Sequence, residues 1–210
     1  MTYEDMCITT WKTLAGTYGD EGATAVMGNL RAESAINPKN LQNSYEAKLG
    51  YNDDTYVAAV DAGTYTREQF SRDRAGFGLA QWTYWSRKQN LYDFTRERGY
   101  GIGELTGQLK FLIWEIGVYK LDDKLRSNLT MKEKTALILR QYEKPADTSD
   151  AAVERRFKFA QQYYDKYHQT EEDHQADDEM LELAKDLVAL SQEIRQIAGK
   201  IIDHLTKFAT

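Results

Sequence analysis

The chain has 210 residues with a formal net charge of −6 at pH 7, and 41% of its residues are hydrophobic. This length suits one domain with a sizeable core, or a domain and a short second element. An acidic chain without a basic stripe is not expected to bind nucleic acid, and the lack of a long apolar run argues against membrane insertion.

Most of the chain up to residue 167 has the apolar spacing of helices. Helices are predicted over residues 3–17, 21–35, 85–98, 104–119, 131–142 and 150–167, with Asp20, Thr130 and Ser149 as capping residues. Residues 39–76 have little of this periodicity and are rich in Tyr, Asn, Asp and Gly. A long irregular segment in a compact helical domain is usually functional, so a small hairpin or a lid is predicted there.

Glu33 lies at the predicted C-terminal end of the second helix, just before the stop signal formed by Asn37 and Pro38. The apolar stripe of this helix indicates that it is largely buried. Burial and the negative end of a helix dipole both favour the protonated form of a carboxyl group, as a general acid requires. The alternative is a surface residue that pairs with Arg31 or with a lysine.

A second informative segment, Gly-Phe-Gly-Leu-Ala-Gln-Trp-Thr, begins at Gly76. Glycine permits positive φ and close backbone approach, so Gly76 and Gly78 could bring the main chain against a sugar ring. Gln81 would then bond the acetamido or hydroxyl groups of the sugar, and Trp82 and Trp85 would offer flat faces for stacking. Core packing is the alternative role for each aromatic side chain.

The irregular segment also contains four aspartates that could orient a water molecule opposite Glu33: Asp53, Asp54, Asp61 and Asp73. Asp73 is the preferred candidate for a second catalytic carboxylate, because it lies just ahead of Gly76. The alternative is that Asp73 only forms salt bridges with its neighbours Arg72 and Arg74.

The sequence gives little support to metal-dependent or nucleophilic catalysis. Cys7 is the only cysteine and lies in an amphipathic helix, where a buried core thiol is expected. The histidines, His168, His174 and His204, all fall at or beyond the end of the helical domain. We therefore predict no metal site and no organic cofactor.

The C-terminal part of the chain has a different composition. Residues 168–179 are acidic and hydrophilic, which is typical of a solvated linker or of the start of a helix. Residues 180–210 have apolar side chains at alternating spacings of three and four, interrupted only by His204: Met180, Leu183, Leu187, Leu190, Ile194, Ile197, Ile201 and Phe208. This pattern predicts a homo-oligomeric coiled coil, or else docking onto the preceding domain or onto a further domain.

Four short motifs occur in order along residues 1–167: Glu33-Ser34 with Asn37-Pro38, the segment from Gly76, Gln-Leu-Lys-Phe-Leu from Gln108 with Trp114-Glu115, and Tyr-Glu-Lys-Pro-Ala from Tyr142. Together they resemble the phage tail-type lysozymes. This family is part of the lysozyme-like superfamily, which also includes goose-type lysozymes and soluble lytic transglycosylases. The resemblance implies a mainly α, lysozyme-like (α+β) catalytic domain, followed here by the C-terminal helix.

The resemblance also implies a function. Glu33 would be the catalytic acid of a glycoside hydrolase that cleaves the β-1,4 bond between N-acetylmuramic acid and N-acetylglucosamine in the glycan strands of peptidoglycan. Gly76, Gly78, Gln81 and Trp82 would face the glycan, and Tyr142 would bind substrate or support the cleft. Glu143 beside Lys144 is interpreted either as part of that support or as a surface pair.

Three alternatives remain open at this point. A lytic transglycosylase would use the same acid but leave an anhydro product, and some relatives in the superfamily need only a single essential Glu. A structural tail protein could bind glycan without cleaving it. A peptidase acting on the peptide stems is poorly supported, since the sequence has no Cys–His or metal constellation.

The N-terminus lacks the basic and apolar regions of a secretory signal. The sequence therefore predicts synthesis in the cytoplasm of the host and action on the bacterial cell wall. The resemblance implies delivery of an endolysin through a holin pore, or of a tail-associated lysin on the virion itself.

Overall fold

The structure, a computed structural model, describes residues 1–168 and 171–207; within the last helix, side chains are described at residue 180 and at residues 182–202. The chain divides into two compact units, Met1–His168 and Gln169–Thr210. The first unit is helical, as the sequence predicts, and the mainly α fold class is confirmed. None of the described helices combines the length and apolar composition that crossing a bilayer requires.

The first helix, α1, runs from Tyr3 to Ser34 and begins with a capping box at Thr2. Two separate helices are predicted here, and the structure joins them through a kink. Gly19 has the non-helical angles φ 70° and ψ 173°, which only glycine adopts at low cost. The break therefore lies where the sequence places it, and the two predicted helices meet at this kink.

The second half of α1 is the centre of the domain. All residues from 22 to 30 are buried, so this helix is enclosed on every side rather than along one stripe. Its closest neighbour is α9 (Asp150–Tyr167), and Gly28 allows the approach. A Cβ at this position would lie 2.4 Å from the carbonyl oxygen of Arg156, which no packing arrangement tolerates.

Residues 39–76 are not the irregular excursion that the sequence predicts, and the prediction of a small hairpin there is wrong, whereas the lid stays a prediction. They form three short helices, α2 (Asn43–Leu49), α3 (Asp53–Asp61) and α4 (Arg67–Arg72). Each has at most two buried side chains, too few for helical periodicity to show in the sequence. Capping boxes begin α3 and α4, where Asn52 and Thr66 are the N-caps.

The remaining elements of the first unit are α5 (Trp85–Glu97), α6 (Leu105–Val118), α7 (Asp122–Arg126) and α8 (Met131–Leu137). A π-helical segment, Ile138–Glu143, continues α8 and ends at Lys144, whose backbone is left-handed. Thr130 and Ser149 are N-caps as predicted. Among the described residues, extended pairing is confined to two isolated bridges that join Phe77 to Leu41 and to Trp82.

The second unit contains α10 (Glu171–Lys207). This helix begins at Glu171, inside the acidic segment 168–179 that the sequence predicts to be a linker or the start of a helix. The described side chains of the apolar seam are all more than half exposed to solvent: Met180, Leu183, Leu187, Leu190, Ile194, Ile197 and Ile201. The last two seam positions, His204 and Phe208, lie outside the described side chains.

Candidate active site

A cleft of about 400 Å³ opens where the end of α1 meets the loop from Gly76, the start of α5 and the π-helical segment. We call it the Glu33 cleft. It has two carboxyl groups, two glutamine amides and two cationic side chains on its walls. Its lining residues are Glu33, Gln42, Ala80, Gln81, Thr83, Tyr84, Arg87, Glu143, Lys144 and Pro145.

Glu33 occupies the last turn of α1, as predicted, and 18% of its side chain is exposed. Its Oε1 accepts a hydrogen bond of 2.7 Å from Nη2 of Arg156, an almost buried side chain of α9. The predicted surface partners, Arg31 or a lysine, do not bind it. The next residue, Ser34, donates from Oγ to the carbonyl oxygen of Leu79 at 2.8 Å. Ser34 thereby holds the end of α1 against the loop from Gly76.

The backbone around the cleft is strained. Six non-glycine residues of the described chain have positive φ: Ala35, Ile36, Arg74, Gln81, Lys120 and Lys144. Two of them, Gln81 and Lys144, line the cleft, and two more follow Glu33 directly after Ser34. A left-handed β-branched residue such as Ile36 is a marked outlier, and such positions cost about 1 to 3 kcal/mol each. Strain of this kind is concentrated at functional sites.

Glu143 is the second carboxyl group of the cleft. The residue as a whole is partly exposed, but its Oε1 is sealed from solvent and has no hydrogen-bond partner among the described residues. Burial, and then the negative charge of Glu33, raise the pKa of Glu143 well above its usual range, against the opposing charges of Arg87 and Arg156. Glu143 therefore keeps its proton where an ordinary glutamate has lost it.

Gln81 lies in the cleft, as predicted, with a left-handed φ of 45°. Its amide nitrogen is already used within the protein, since Nε2 donates to the backbone and side-chain oxygens of Asn40 at 3.1 and 2.8 Å. No hydrogen bond among the described residues uses Oε1, which leaves an acceptor for a donor on the substrate. Gly76 makes room for this side chain, because a Cβ there would lie 2.7 Å from Oε1 of Gln81.

Trp82 and Tyr142 are candidates for substrate binding, with core packing or support of the cleft as the alternatives, and the structure places both in the core. Trp82 is fully buried and Tyr142 is 1% exposed. The indole N–H of Trp82 donates to Glu115 at 2.9 Å, and the hydroxyl of Tyr142 donates to the same oxygen at 2.6 Å. Arg87 completes this network through two hydrogen bonds to Glu115, of 2.9 and 2.8 Å. The network ties α5, α6 and the π-helical segment together beneath the cleft.

Gly78 is also in the interior rather than against a sugar. Its φ is 72°, and a Cβ would lie 2.5 Å from Oε1 of Gln108. Gln108 is a fully buried residue of α6 that accepts from the backbone N–H of Leu79 and donates to the carbonyl oxygen of Pro38. The glycine is therefore required because this glutamine joins the turn after Glu33 to the loop from Gly76.

Asp73, the preferred second carboxylate, lies outside the Glu33 cleft. Its side chain is 2% exposed and forms an ion pair of 2.5 Å with Lys88, which is fully buried. The carboxylate also accepts from the hydroxyl of Tyr56 and from the backbone N–H of Ala75. Burial lowers the pKa of Lys88 to about 8, and the charge of Asp73 opposes this fall. The geometry supports a structural role, and we do not propose Asp73 as a catalytic group.

Trp85 lines a separate groove of about 840 Å³, which adjoins the cleft through the shared residues Thr83 and Tyr84. Its side chain is exposed, as a residue that stacks on substrate requires. The groove is larger than the Glu33 cleft, but none of its lining residues is a carboxylate. Acid chemistry therefore belongs to the smaller cleft.

The family model for phage tail lysozymes matches residues 8–167, which include every residue that lines the Glu33 cleft. The chain belongs to the phage tail lysozyme family. A lysozyme-like, peptidoglycan-lysing function follows from this membership, with peptidoglycan as the substrate and the cell wall as the place of action. The helix α10 lies beyond the matched residues.

The sequence did not identify the cleft residues Gln42 and Arg87, or Arg156, which binds Glu33. Gln42 closes the loop by accepting from the backbone N–H of Gly76 at 3.0 Å. Arg156 could have been found from the helical spacing of α9, where Arg156 and Ala160 lie one turn apart against Gly28. No group of His, Cys, Asp or Glu in the described part of the chain is arranged to hold a metal ion.

Proposed function

We propose that the protein is a glycoside hydrolase of the muramidase type. It cleaves the β-1,4 bond between N-acetylmuramic acid and N-acetylglucosamine during phage-driven lysis or penetration of the bacterial cell wall. The observation that supports this best is the pair of carboxyl groups in the Glu33 cleft. One is a partly exposed carboxylate held by Arg156, and the other is an enclosed group that keeps its proton.

In this proposal the two carboxyl groups supply the acid together. Glu33 is the member that reaches the substrate, since part of its side chain is exposed whereas Oε1 of Glu143 is sealed. Glu143 holds the proton in the resting enzyme because its environment disfavours charge. When substrate is bound, this proton passes through Glu33 to the leaving glycosidic oxygen as the bond from that oxygen to the anomeric carbon breaks, which leaves both groups as carboxylates.

The positive charge that develops on the sugar is then stabilised by the carboxylates of the pair. A water molecule completes the displacement at the anomeric carbon. One of its protons passes to Glu33 and on to Glu143, which restores the resting state, and the other stays on the new hydroxyl group. Oε1 of Gln81 accepts from the acetamido N–H or a hydroxyl of the sugar and fixes the ring beside Glu33.

The substitution Glu33→Gln tests the proposal, because it keeps the shape of the side chain and removes its ability to pass a proton to the substrate. General acid catalysis contributes about a hundredfold to ten-thousandfold, so cleavage of purified peptidoglycan should fall by that factor. The matched control is Glu21→Gln. Glu21 lies on the same helix, and its carboxylate pairs with Lys134 at 3.0 Å outside the cleft. Equal activity of the two folded variants would exclude Glu33 as the acid.

A further inference from the structure

The groove beside the Glu33 cleft is positively charged, although the whole chain carries a net charge of −6. We call it the arginine groove, since Arg72 and Arg74 both line it and no acidic residue does. Arg72 pairs with Glu68 at 3.3 Å, but both side chains are well exposed and such pairs contribute little. Arg74 has no ion pair or hydrogen bond with the described residues. The groove therefore has cationic side chains available for an anion.

The backbone holds Arg74 in place at a cost. Its φ is 66°, a left-handed conformation that a non-glycine residue adopts only when its surroundings require it. The buried pair of Asp73 and Lys88 provides this constraint from both sides. Asp73 accepts from the backbone N–H of Ala75 at 2.9 Å, and Lys88 donates to the carbonyl oxygen of Ala75 at 3.0 Å. A buried ion pair thus fixes the turn that presents Arg74 to the groove.

Two aromatic side chains complete the groove. Tyr84 is 64% exposed and Trp85 is 46% exposed, and the guanidinium of Arg72 lies 5.7 Å from the ring centre of Trp85. Large exposed aromatic groups beside cations are typical of binding surfaces. Tyr84 also lines the Glu33 cleft, so one side chain borders both spaces. The cleft and the groove therefore adjoin at Tyr84.

We propose that the arginine groove binds the acidic peptide stem that peptidoglycan carries on its muramic acid residues. This inference rests on the proposed glycan cleavage and adds a specificity site to it. The stem carboxylates are recognised by Arg72 and Arg74 through charge-assisted hydrogen bonds. The apolar parts of the stem pack on Tyr84 and Trp85. The protein thereby prefers glycan that carries stems over glycan from which they have been removed.

Binding tests the groove without depending on cleavage. In the Glu33→Gln background, calorimetry compares three probes: a peptidoglycan tetrasaccharide with tripeptide stems, the same tetrasaccharide without stems, and polyglycerol phosphate. The stem-bearing probe should bind about tenfold or more tightly than the bare sugar, the effect of one or two hydrogen bonds to charged groups. Equal affinity for the two sugars would overturn the proposal. Tighter binding of polyglycerol phosphate than of the stem-bearing probe would instead assign the groove to phosphates and also overturn it.

Variants then assign the preference to the two arginines. The double variant Arg72→Gln with Arg74→Gly removes both cations, and glycine retains the left-handed backbone at position 74, so folding should not suffer. Its affinities for the two sugars should become equal. Arg98→Gln is the matched control, because Arg98 is a similarly exposed arginine that pairs with Glu97 at 3.5 Å outside the groove. A double variant that keeps the preference, or a control that loses it, would contradict the assignment.

Cleavage assays separate this inference from the function on which it rests. The wild-type protein should have a kcat/KM about tenfold to a hundredfold higher for stem-bearing than for stem-free chains, mostly through KM. The double variant should bring this ratio close to one. If the wild-type protein cleaves neither substrate, the proposed function fails, while the binding comparison still decides the role of the groove.

Discussion

The buried pair of Asp73 and Lys88 shows how a residue that looks catalytic in the sequence acquires a different role in the fold. Asp73 is adjacent to Arg72 and Arg74, but its partner is 15 positions further along the chain. That partner depends on how α4 and α5 pack, which local sequence does not reveal. The position of Glu33 was easier to predict, because a helix end and its stop signal are local features.

Asp73→Asn should therefore lower the free energy of unfolding while leaving the cleavage rate per folded molecule nearly unchanged. Removal of one partner leaves the charge of Lys88 buried without compensation, which costs about 3 to 5 kcal/mol. Asp93→Asn is the control, since it breaks a half-exposed pair with Arg67 and should cost about 1 kcal/mol or less. Denaturant unfolding measures both values. Unchanged stability of Asp73→Asn, together with a hundredfold loss of cleavage per folded molecule, would restore a catalytic role for Asp73.

The raised pKa of Glu143 predicts how the stability of the protein depends on pH. A carboxyl group whose folded pKa is raised stabilises the protein most below its unfolded pKa, and this contribution is lost as the pH rises through the folded value. The wild-type protein should therefore lose stability relative to Glu143→Gln as the pH rises above about 4, the ordinary pKa of a glutamate, toward the raised pKa of Glu143, measured by denaturant unfolding. The alkaline limb of kcat/KM should also move to lower pH in Glu143→Gln. Stability curves that run parallel across this range would show that Glu143 does not retain its proton.

The burial of Glu143 could not be predicted from the sequence. Glu143 and Lys144 are neighbours of opposite charge, the usual signature of a surface pair. In the fold, Glu143 is the last residue of the π-helical segment and its Oε1 is sealed from solvent. This enclosure depends on elements that are distant in the sequence, which a local charge pattern does not reveal.

At the scale of elements, long helices were predictable and short ones were not. Four predicted helices agree with α5, α6, α9 and the combined α8 and π-helical segment to within a few residues. In α3 and α4, capping boxes rather than apolar periodicity mark the helix starts, and α2 has neither a side-chain N-cap bond nor a buried side chain. The reason for glycine at position 78 could not be predicted from the sequence. Glycine is required there because of the contact with Gln108, whose burial only the assembled fold reveals.

The exposed seam of α10 predicts self-association. Leu190 and Ile194 are each more than half exposed, and apolar stripes of this length are rare on soluble monomers. We expect the chain to form an oligomer through a coiled coil of its own α10 helices, and we expect Leu190→Asp with Ile194→Asp to dissociate it. Light scattering with mass determination measures the change.

The control for this experiment adds the same charges outside the seam. Gln192→Asp with Gln196→Asp changes two exposed residues of α10 that do not belong to the apolar repeat, and the oligomer should persist. A wild-type protein that is monomeric at all concentrations would contradict the coiled coil and favour another partner for the seam.

At the scale of the whole molecule, charge is distributed in a way that suits an anionic polymer substrate. A net charge of −6 disfavours non-specific adsorption to an anionic wall, so attraction has to come from local contacts. The arginine groove supplies such contacts beside the cleft. An oligomer would add to them, because linked catalytic domains on one polymer have a raised effective concentration.

We propose that the protein hydrolyses the bond on the reducing side of N-acetylmuramic acid in the Glu33 cleft. Mass analysis of purified peptidoglycan digested by the wild-type protein and by Glu33→Gln tests this hydrolysis most directly. We predict soluble fragments that end in a reducing N-acetylmuramic acid, each heavier than the anhydro form by one water, and no such fragments from Glu33→Gln. Anhydro ends, reducing N-acetylglucosamine ends, cuts within the peptide stems, or the same fragments from Glu33→Gln would contradict the account.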